Sequence, residues 1–151
     1  MRKLLLFFFV LAVGFVSSGC SSNVAEPSAP ATSGSDETSV DVTEKDFAIA
    51  MTPGTSSTQK VKFNIKNDGP TTHEFVVFKT DLALGDLPLS ADGTEINETG
   101  AGITNVGEKE DIAKGATTTL AMTLQPGKYV MVCNLPTHYK LGMRTGFTVS
   151  S

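Results

Sequence analysis

The chain has 151 residues, a length that accommodates one globular domain and is short for two. Its formal net charge is −4, and its 12 lysines and arginines are spread thinly without a basic cluster, which argues against nucleic-acid binding. Glycine and proline contribute 14 and 7 residues, and together with abundant threonine and valine they favour short strands joined by turns.

The N-terminus has the pattern of an export signal. Arg2 and Lys3 form a charged start, and residues 4–16 form an apolar run that is shorter than the about 20 residues of a transmembrane helix. The small residues before Cys20 resemble a bacterial lipobox, although Ser17 stands where leucine is usual. We therefore predict that residues 1–19 are removed and that Cys20 carries a lipid anchored in a membrane. An ordinary secretory cut nearby is the alternative.

Residues 20–39 are predicted to form a disordered tether between the lipid and a folded domain. Serine, alanine, proline and threonine dominate this stretch, so it buries too little apolar surface to offset the entropy lost on ordering. The protein is accordingly expected to face the periplasm or the cell exterior. The chain has 2 cysteines, and an acylated Cys20 cannot form a disulfide, which leaves Cys133 as an unpaired exported thiol. Metal ligation would explain such a thiol.

From residue 40 onward, apolar and polar residues alternate with the period of β-strands. Residues 61–65 show this alternation most clearly, and residues 73–80 are apolar on both faces, which predicts a buried central strand. Residues 81–110 are irregular and are predicted to form a long excursion with a short helix or hairpin. Further strands are predicted at residues 40–42, 47–51 (with Phe47, Ile49 and Met51 on one face), 116–124, 128–133 and 145–150. About seven to eight short strands predict an all-β domain over residues 40–151, a Greek-key β-sandwich.

The segment from Cys133 to Met143 has the spacing C-x4-H-x4-M and lies in the predicted loop before the last strand. Thiolate and thioether sulfurs are soft ligands, so cysteine and methionine beside His138 favour copper over zinc. Two histidines and one cysteine with a weak axial methionine form the blue-copper arrangement. The only other histidine, His73, begins the buried strand. Each of these residues alone is more often structural, but their order and spacing together predict a site for one copper ion.

With these residues the chain resembles the cupredoxins, the family of plastocyanin, azurin, auracyanin and sulfocyanin. In that family one histidine lies at a strand end, and cysteine, histidine and methionine follow in the final loop. The resemblance covers residues 40–151. It implies that Cys133 is the thiolate ligand, His73 and His138 the equatorial imidazoles, and Met143 the long axial ligand. It also implies a type 1 copper protein that carries single electrons and is not an enzyme.

The resemblance further implies a docking surface. In the family the C-terminal histidine lies near the surface within an apolar ring and serves as the electron port. In this chain the ring would consist of Leu135, Pro136, Tyr139 and Leu141, with Pro70 near the upstream ligand. The implied partners are redox proteins such as cytochromes or an oxidase, and the protein itself is expected to be a monomer.

Glu74 departs from the family pattern, in which asparagine or serine at this position often links the two ligand loops. Strand alternation directs Glu74 away from the metal, so we expect a surface carboxylate, with an effect on the bonding around the ligands as the alternative. The acidic residues Glu108, Glu110 and Asp111 are expected to form a solvated surface that could steer a basic partner.

Other functions find less support in the residues. A binuclear copper centre needs two cysteines in the loop, and a multicopper oxidase needs more than 2 histidines. Copper trafficking or resistance is the main alternative to electron transfer, but the flexible segments rich in methionine or histidine that are typical of trafficking proteins do not occur. A purely structural cupredoxin module is a third possibility, and such a module would be expected to have lost ligands.

Overall fold

The computed structural model describes residues 36–150, which form nine strands and one short helix. The elements are β1 Glu37–Lys45, β2 Ala48–Thr52, β3 Thr55–Ser56, β4 Lys60–Asn67, β5 His73–Thr80, β6 Ile103–Ile112, β7 Thr117–Thr123, β8 Gly127–Val132, α1 His138–Leu141 and β9 Arg144–Val149. The predicted signal peptide, the Cys20 lipidation site and most of the predicted tether lie outside the described residues. Within residues 36–150, no helix has the length and apolar character needed to cross a membrane.

The strands form two sheets, which confirms the predicted all-β fold. One sheet has the order β2-β1-β4-β7, and the other has the order β3-β9-β8-β5-β6. Both sheets are mixed, because β1 runs parallel to β4 and β3 runs parallel to β9, whereas the remaining pairs are antiparallel. The described part of the chain has nine strands rather than seven or eight, since β6 and the two-residue β3 escaped prediction.

Aromatic side chains from both sheets meet in the core between them. Phe63 of β4 is fully buried, and its ring centroid lies 5.3 Å from that of Phe75 in β5 and 5.6 Å from that of Phe147 in β9. Alternate residues of β1 and β4, such as Val42 and Ile65, point into the same cluster because side chains of a strand alternate between its faces. Burial of these apolar groups is the main force that holds the two sheets together.

Strand β5 is buried on both faces, as predicted. Phe75 and Val77 pack in the core between the sheets. Val76 and Phe78 point to the opposite face and pack in a second cluster, where the segment between β5 and β6 contributes Leu87. A strand covered on both sides is a rigid support, and β5 begins at a predicted ligand, His73.

Three details of the sequence prediction are wrong. The irregular excursion ends before Ile103, where β6 begins and pairs with β5. The sequence did not indicate β6 because many of its residues are charged and exposed and have low strand propensity. The first strand begins at Glu37 rather than Val40, since residues 37–39 pair with the backbone of β4. Phe47 was predicted to share one face of a strand with Ile49 and Met51, but it lies in the turn between β1 and β2 with 39% of its surface exposed.

Candidate metal centre

The fold brings together the predicted ligands from two strand ends and one loop. Sγ of Cys133 lies 3.9 Å from Nδ1 of His73 and 3.3 Å from Nδ1 of His138. One ligand atom from each of these three side chains lies within 4.8 Å of the other two. His73 and Cys133 are fully buried, and His138 is partly exposed. Met143 is also fully buried and belongs to the same hydrophobic cluster as Cys133.

Neighbouring strands fix the relative positions of these side chains. His73 is the first residue of β5, and Cys133 directly follows β8, which pairs with β5. His138 begins α1, which follows Thr137 in a left-handed conformation with φ 71°. Two backbone hydrogen bonds close the loop, because Cys133 N–H donates to the Met143 carbonyl at 3.1 Å and Met143 N–H donates to the His138 carbonyl at 3.0 Å.

The thiol of Cys133 is held in an apolar environment that opposes its ionisation. Burial raises the pKa of Cys133 to about 11, although the backbone N–H groups of Glu74 and Leu135 donate to its sulfur and favour the thiolate. At neutral pH the metal-free protein therefore holds a protonated thiol. Binding of a metal ion to the sulfur displaces that proton, so metal affinity rises with pH.

Burial also keeps His73 in the neutral form that a metal ligand requires. Desolvation lowers the pKa of His73, while the nearby carboxylate of Asp46 opposes this shift and His138 adds to it. Asp46 Oδ1 lies 2.8 Å from Nε2 of His73, on the opposite side of the ring from the Nδ1 atom that faces Cys133. The imidazole therefore presents Nδ1 to the centre, and Nε2 faces a carboxylate.

The expectation that Glu74 is a simple surface carboxylate is wrong. Its side chain is only partly exposed, and its carboxylate accepts a hydrogen bond from the backbone N–H of Asn134, the residue after Cys133. Burial raises the pKa of Glu74 to about 7 despite this bond, and the carboxylates of Glu98 and Glu108 contribute to the increase. Glu74 thus joins the strand that carries His73 to the loop that carries Cys133.

Comparison with known proteins identifies the family. A family model described as "Sulfocyanin (SoxE) domain" matches residues 38–151 of the chain. The chain belongs to the sulfocyanin family. No curated protein sequence matches it significantly.

Solved structures support the cupredoxin fold of this sulfocyanin domain. A dithionite-reduced auracyanin from Roseiflexus castenholzii is 21% identical, with a TM-score of 0.51 over 78% of this chain and 98% of that protein. Auracyanin A from Chloroflexus aurantiacus, described as a "blue" copper protein, is 18% identical, with a TM-score of 0.52 over 76% and 99% of the two chains. Rusticyanin variants are 15% identical, with a TM-score of 0.55 over 76% and 78%.

The donor set of this cupredoxin is suited to one copper ion. Bonds of about 2.0–2.3 Å from a single ion to nitrogen and sulfur place the ligand atoms roughly 3–4 Å apart. The distances of 3.3 Å and 3.9 Å from Cys133 Sγ to the two Nδ1 atoms fit this requirement. Two imidazoles, one thiol and the nearby thioether of Met143 form the soft donor set that favours copper.

The segment between β5 and β6, for which the sequence suggested no role, supports the ligand loop from outside. The Asn134 side chain accepts a hydrogen bond from Ile96 N–H at 2.6 Å and donates to the Glu98 carboxylate at 2.9 Å. Thr137 N–H donates to the Thr94 carbonyl at 2.8 Å. These bonds tie the loop between Cys133 and His138 to a neighbouring segment and so limit its movement.

The residues predicted to form an apolar ring around His138 differ in their exposure. Leu141 has 55% of its surface exposed, Pro136 is exposed and Leu135 is partly exposed. Tyr139, which was predicted to belong to this surface, is buried because its hydroxyl donates to the Leu84 carbonyl and accepts from Leu87 N–H. The exposed Phe47 ring lies instead beside His138, with the ring centroids 5.2 Å apart in an edge-on arrangement.

Sequence reasoning also missed the contributions of Asp46 and Phe47 to the site. Both residues lie in the turn between β1 and β2. These two strands belong to one sheet, whereas β8, which directly precedes Cys133, belongs to the other. The polar pair Lys45 and Asp46 before Phe47 is a weak turn signal, and it carries no information about which residues the turn contacts.

Proposed function

We propose that this protein is a type 1 copper protein that carries single electrons between redox partners outside the cytoplasm. The observation that carries the proposal is the buried group of His73, Cys133 and His138, with ligand atoms within 4.8 Å of one another, beside the buried Met143. Bound copper supplies the one-electron step by alternating between Cu(II) and Cu(I). The chain holds the donors in place in both states.

The structure favours a carrier over a catalyst. Three of the four predicted ligands are fully buried, so no substrate has direct access to the centre except past His138. The ligands are attached to paired strands and to a loop held by hydrogen bonds on both sides. A donor set fixed in this way changes little between oxidation states, which keeps the reorganisation energy of electron transfer low.

We further propose that electrons leave and enter through His138. The partner surface, formed by Phe47, Leu135, Pro136 and Leu141, surrounds the one ligand that reaches solvent. An apolar surface of this kind suits short-lived contacts with a redox protein such as a cytochrome or an oxidase. Lipidation of Cys20 would hold the monomeric protein at the outer face of a membrane, where such partners act.

Electron self-exchange between oxidised and reduced copper protein tests both proposals. We expect rapid exchange, measured by NMR line broadening, with copper retained through repeated cycles of reduction and oxidation. In Leu141→Asp each molecule carries one new carboxylate, and the two carboxylates repel each other when the partner surfaces of two molecules meet. This variant is expected to slow exchange about tenfold or more. The matched control is Thr123→Asp, which adds the same charge to an exposed residue of β7. Thr123 pairs with Lys60 at the start of β4, whereas the loop to His73 follows the end of β4.

Two results would contradict the proposals. Release of copper on each reduction would indicate a trafficking protein that hands the metal over rather than a carrier. Equal slowing by Leu141→Asp and Thr123→Asp would show that added charge, and not the partner surface, controls the exchange rate.

A further inference from the structure

The turn between β1 and β2 contacts both histidines of the centre. These two strands belong to the four-stranded sheet, whereas His73 lies in the five-stranded sheet. Asp46 Oδ1 lies 2.8 Å from Nε2 of His73, and Phe47 packs edge-on against the ring of His138. His73 is fully buried, so solvent does not compete for Nε2. The 2.8 Å contact with Asp46 is close but departs from ideal hydrogen-bond alignment, and Nε2 has no aligned hydrogen-bond partner among the described residues.

The neighbouring chain is built around the contact between Asp46 and His73. The Thr71 hydroxyl lies 3.0 Å and 3.1 Å from the two carboxylate oxygens of Asp46 and donates to this carboxylate. Gly69 lies so close that an added Cβ would be 2.7 Å from both Asp46 Oδ1 and His73 Nε2. Asn67 holds this loop in place by accepting from Gly69 N–H at 2.8 Å and donating to the Thr71 carbonyl at 2.8 Å.

We propose that Asp46 is a positioning residue for the copper site, which keeps the proton of His73 on Nε2, directs Nδ1 to the metal and stabilises Cu(II) relative to Cu(I). A histidine ligand commonly points its second ring nitrogen at a carboxylate or carbonyl, which fixes the tautomer and strengthens the ring as a donor. Here the partner is a charged carboxylate, and its negative charge favours the more highly charged oxidation state of a nearby ion. The inference rests on the proposed copper site.

Two substitutions separate the charge of Asp46 from its hydrogen-bonding role. Asp46→Ala removes both, and we expect it to lower Cu(II) affinity about tenfold or more while Cu(I) affinity falls less. A tenfold fall in the ratio of the two affinities corresponds to a rise of about 59 mV in the reduction potential. Asp46→Asn retains an acceptor oxygen for Nε2 but loses the charge, so the potential is expected to rise while the blue absorption band keeps its position.

The matched control for lost charge is Asp68→Asn, because Asp68 lies in the same loop and pairs with Lys66 at 2.8 Å on the surface. The control is expected to change the affinity ratio less than threefold. Equal losses of Cu(II) and Cu(I) affinity in Asp46→Ala would leave the potential unchanged and would show a purely structural role. Equal shifts in Asp46→Ala and Asp68→Asn would also overturn the proposal.

Nitrogen NMR of the metal-free protein tests the tautomer without copper. We expect His73 to carry its proton on Nε2 in the native protein and in Asp46→Asn, and to populate both tautomers in Asp46→Ala. Gly69→Ala, which forces Asp46 away from the ring, should resemble Asp46→Ala, whereas Gly54→Ala, with no atom near the added carbon, should not. An unchanged Nε2 tautomer in both Asp46→Ala and Gly69→Ala would refute the positioning role even if the copper site is correct.

Discussion

Replacement of Glu44 by glutamine is expected to remove much of the loss of stability that the metal-free protein suffers as pH rises. Glu44 is fully buried, and neither of its carboxylate oxygens has a hydrogen-bond partner among the described residues. Burial raises the pKa of Glu44 from 4.5 to about 8, and repulsion from Glu74 adds to the increase. The native state therefore keeps a proton that the unfolded state releases.

The sign of the effect follows from this difference in bound protons. The contribution of Glu44 to stability is fully present below its unfolded pKa of 4.5, and it is lost as pH rises through the folded pKa of about 8. One retained proton corresponds to a slope of about 1.4 kcal/mol per pH unit, or up to roughly 4 kcal/mol between pH 5 and 8. Glutamine does not ionise, so Glu44→Gln removes this contribution, whereas Glu74 titrates in the same range and keeps part of the slope.

Urea unfolding of the metal-free protein at several pH values measures the slope. The control is Asp41→Asn, which removes a carboxylate from the exposed face of the same strand and should leave the slope unchanged. An equal pH dependence in the native protein and in Glu44→Gln would mean that Glu44 is not protonated in the folded state.

Phe63→Ala is expected to reduce the free energy of unfolding by about 3–5 kcal/mol. The Phe63 side chain is fully buried between the sheets and contacts the rings of Phe75 and Phe147, so its removal leaves a cavity that neither sheet can fill by a small movement. Phe47→Ala removes the same group from a residue that is 39% exposed, and it should cost about 1 kcal/mol or less. Similar losses in the two variants, measured by urea unfolding without copper, would place the main core elsewhere.

The sequence predicted those parts of the structure that depend on a repeating pattern or on rare residues. The bounds of β5 and its burial on both faces follow from apolar residues at every second position on each side. The grouping of His73 with Cys133 and His138 followed from the scarcity of histidine and cysteine in the chain and from their spacing. A strand such as β6, with exposed charged residues at an edge, carries no such pattern and was missed.

The residues around the ligands were harder to predict because tertiary contacts, and not local sequence, define their roles. Asp46 reaches His73 only because the turn after β1 folds against the loop before β5. Glu74 obeys strand alternation, yet its carboxylate accepts a hydrogen bond from Asn134 N–H, which makes it a link between ligand segments. Tyr139 is apolar enough for a docking surface, but the long segment between β5 and β6 supplies partners for its hydroxyl and buries it.

The most direct test of the copper centre is the visible and EPR spectrum of the Cu(II)-loaded protein beside that of Cys133→Ala. The geometry predicts an intense thiolate-to-copper band and a compressed copper hyperfine splitting in the native protein, with both features lost in the variant because alanine has no sulfur ligand. A pale, weakly held copper signal that is the same in both proteins would contradict the four-ligand site and the electron-transfer function that depends on it.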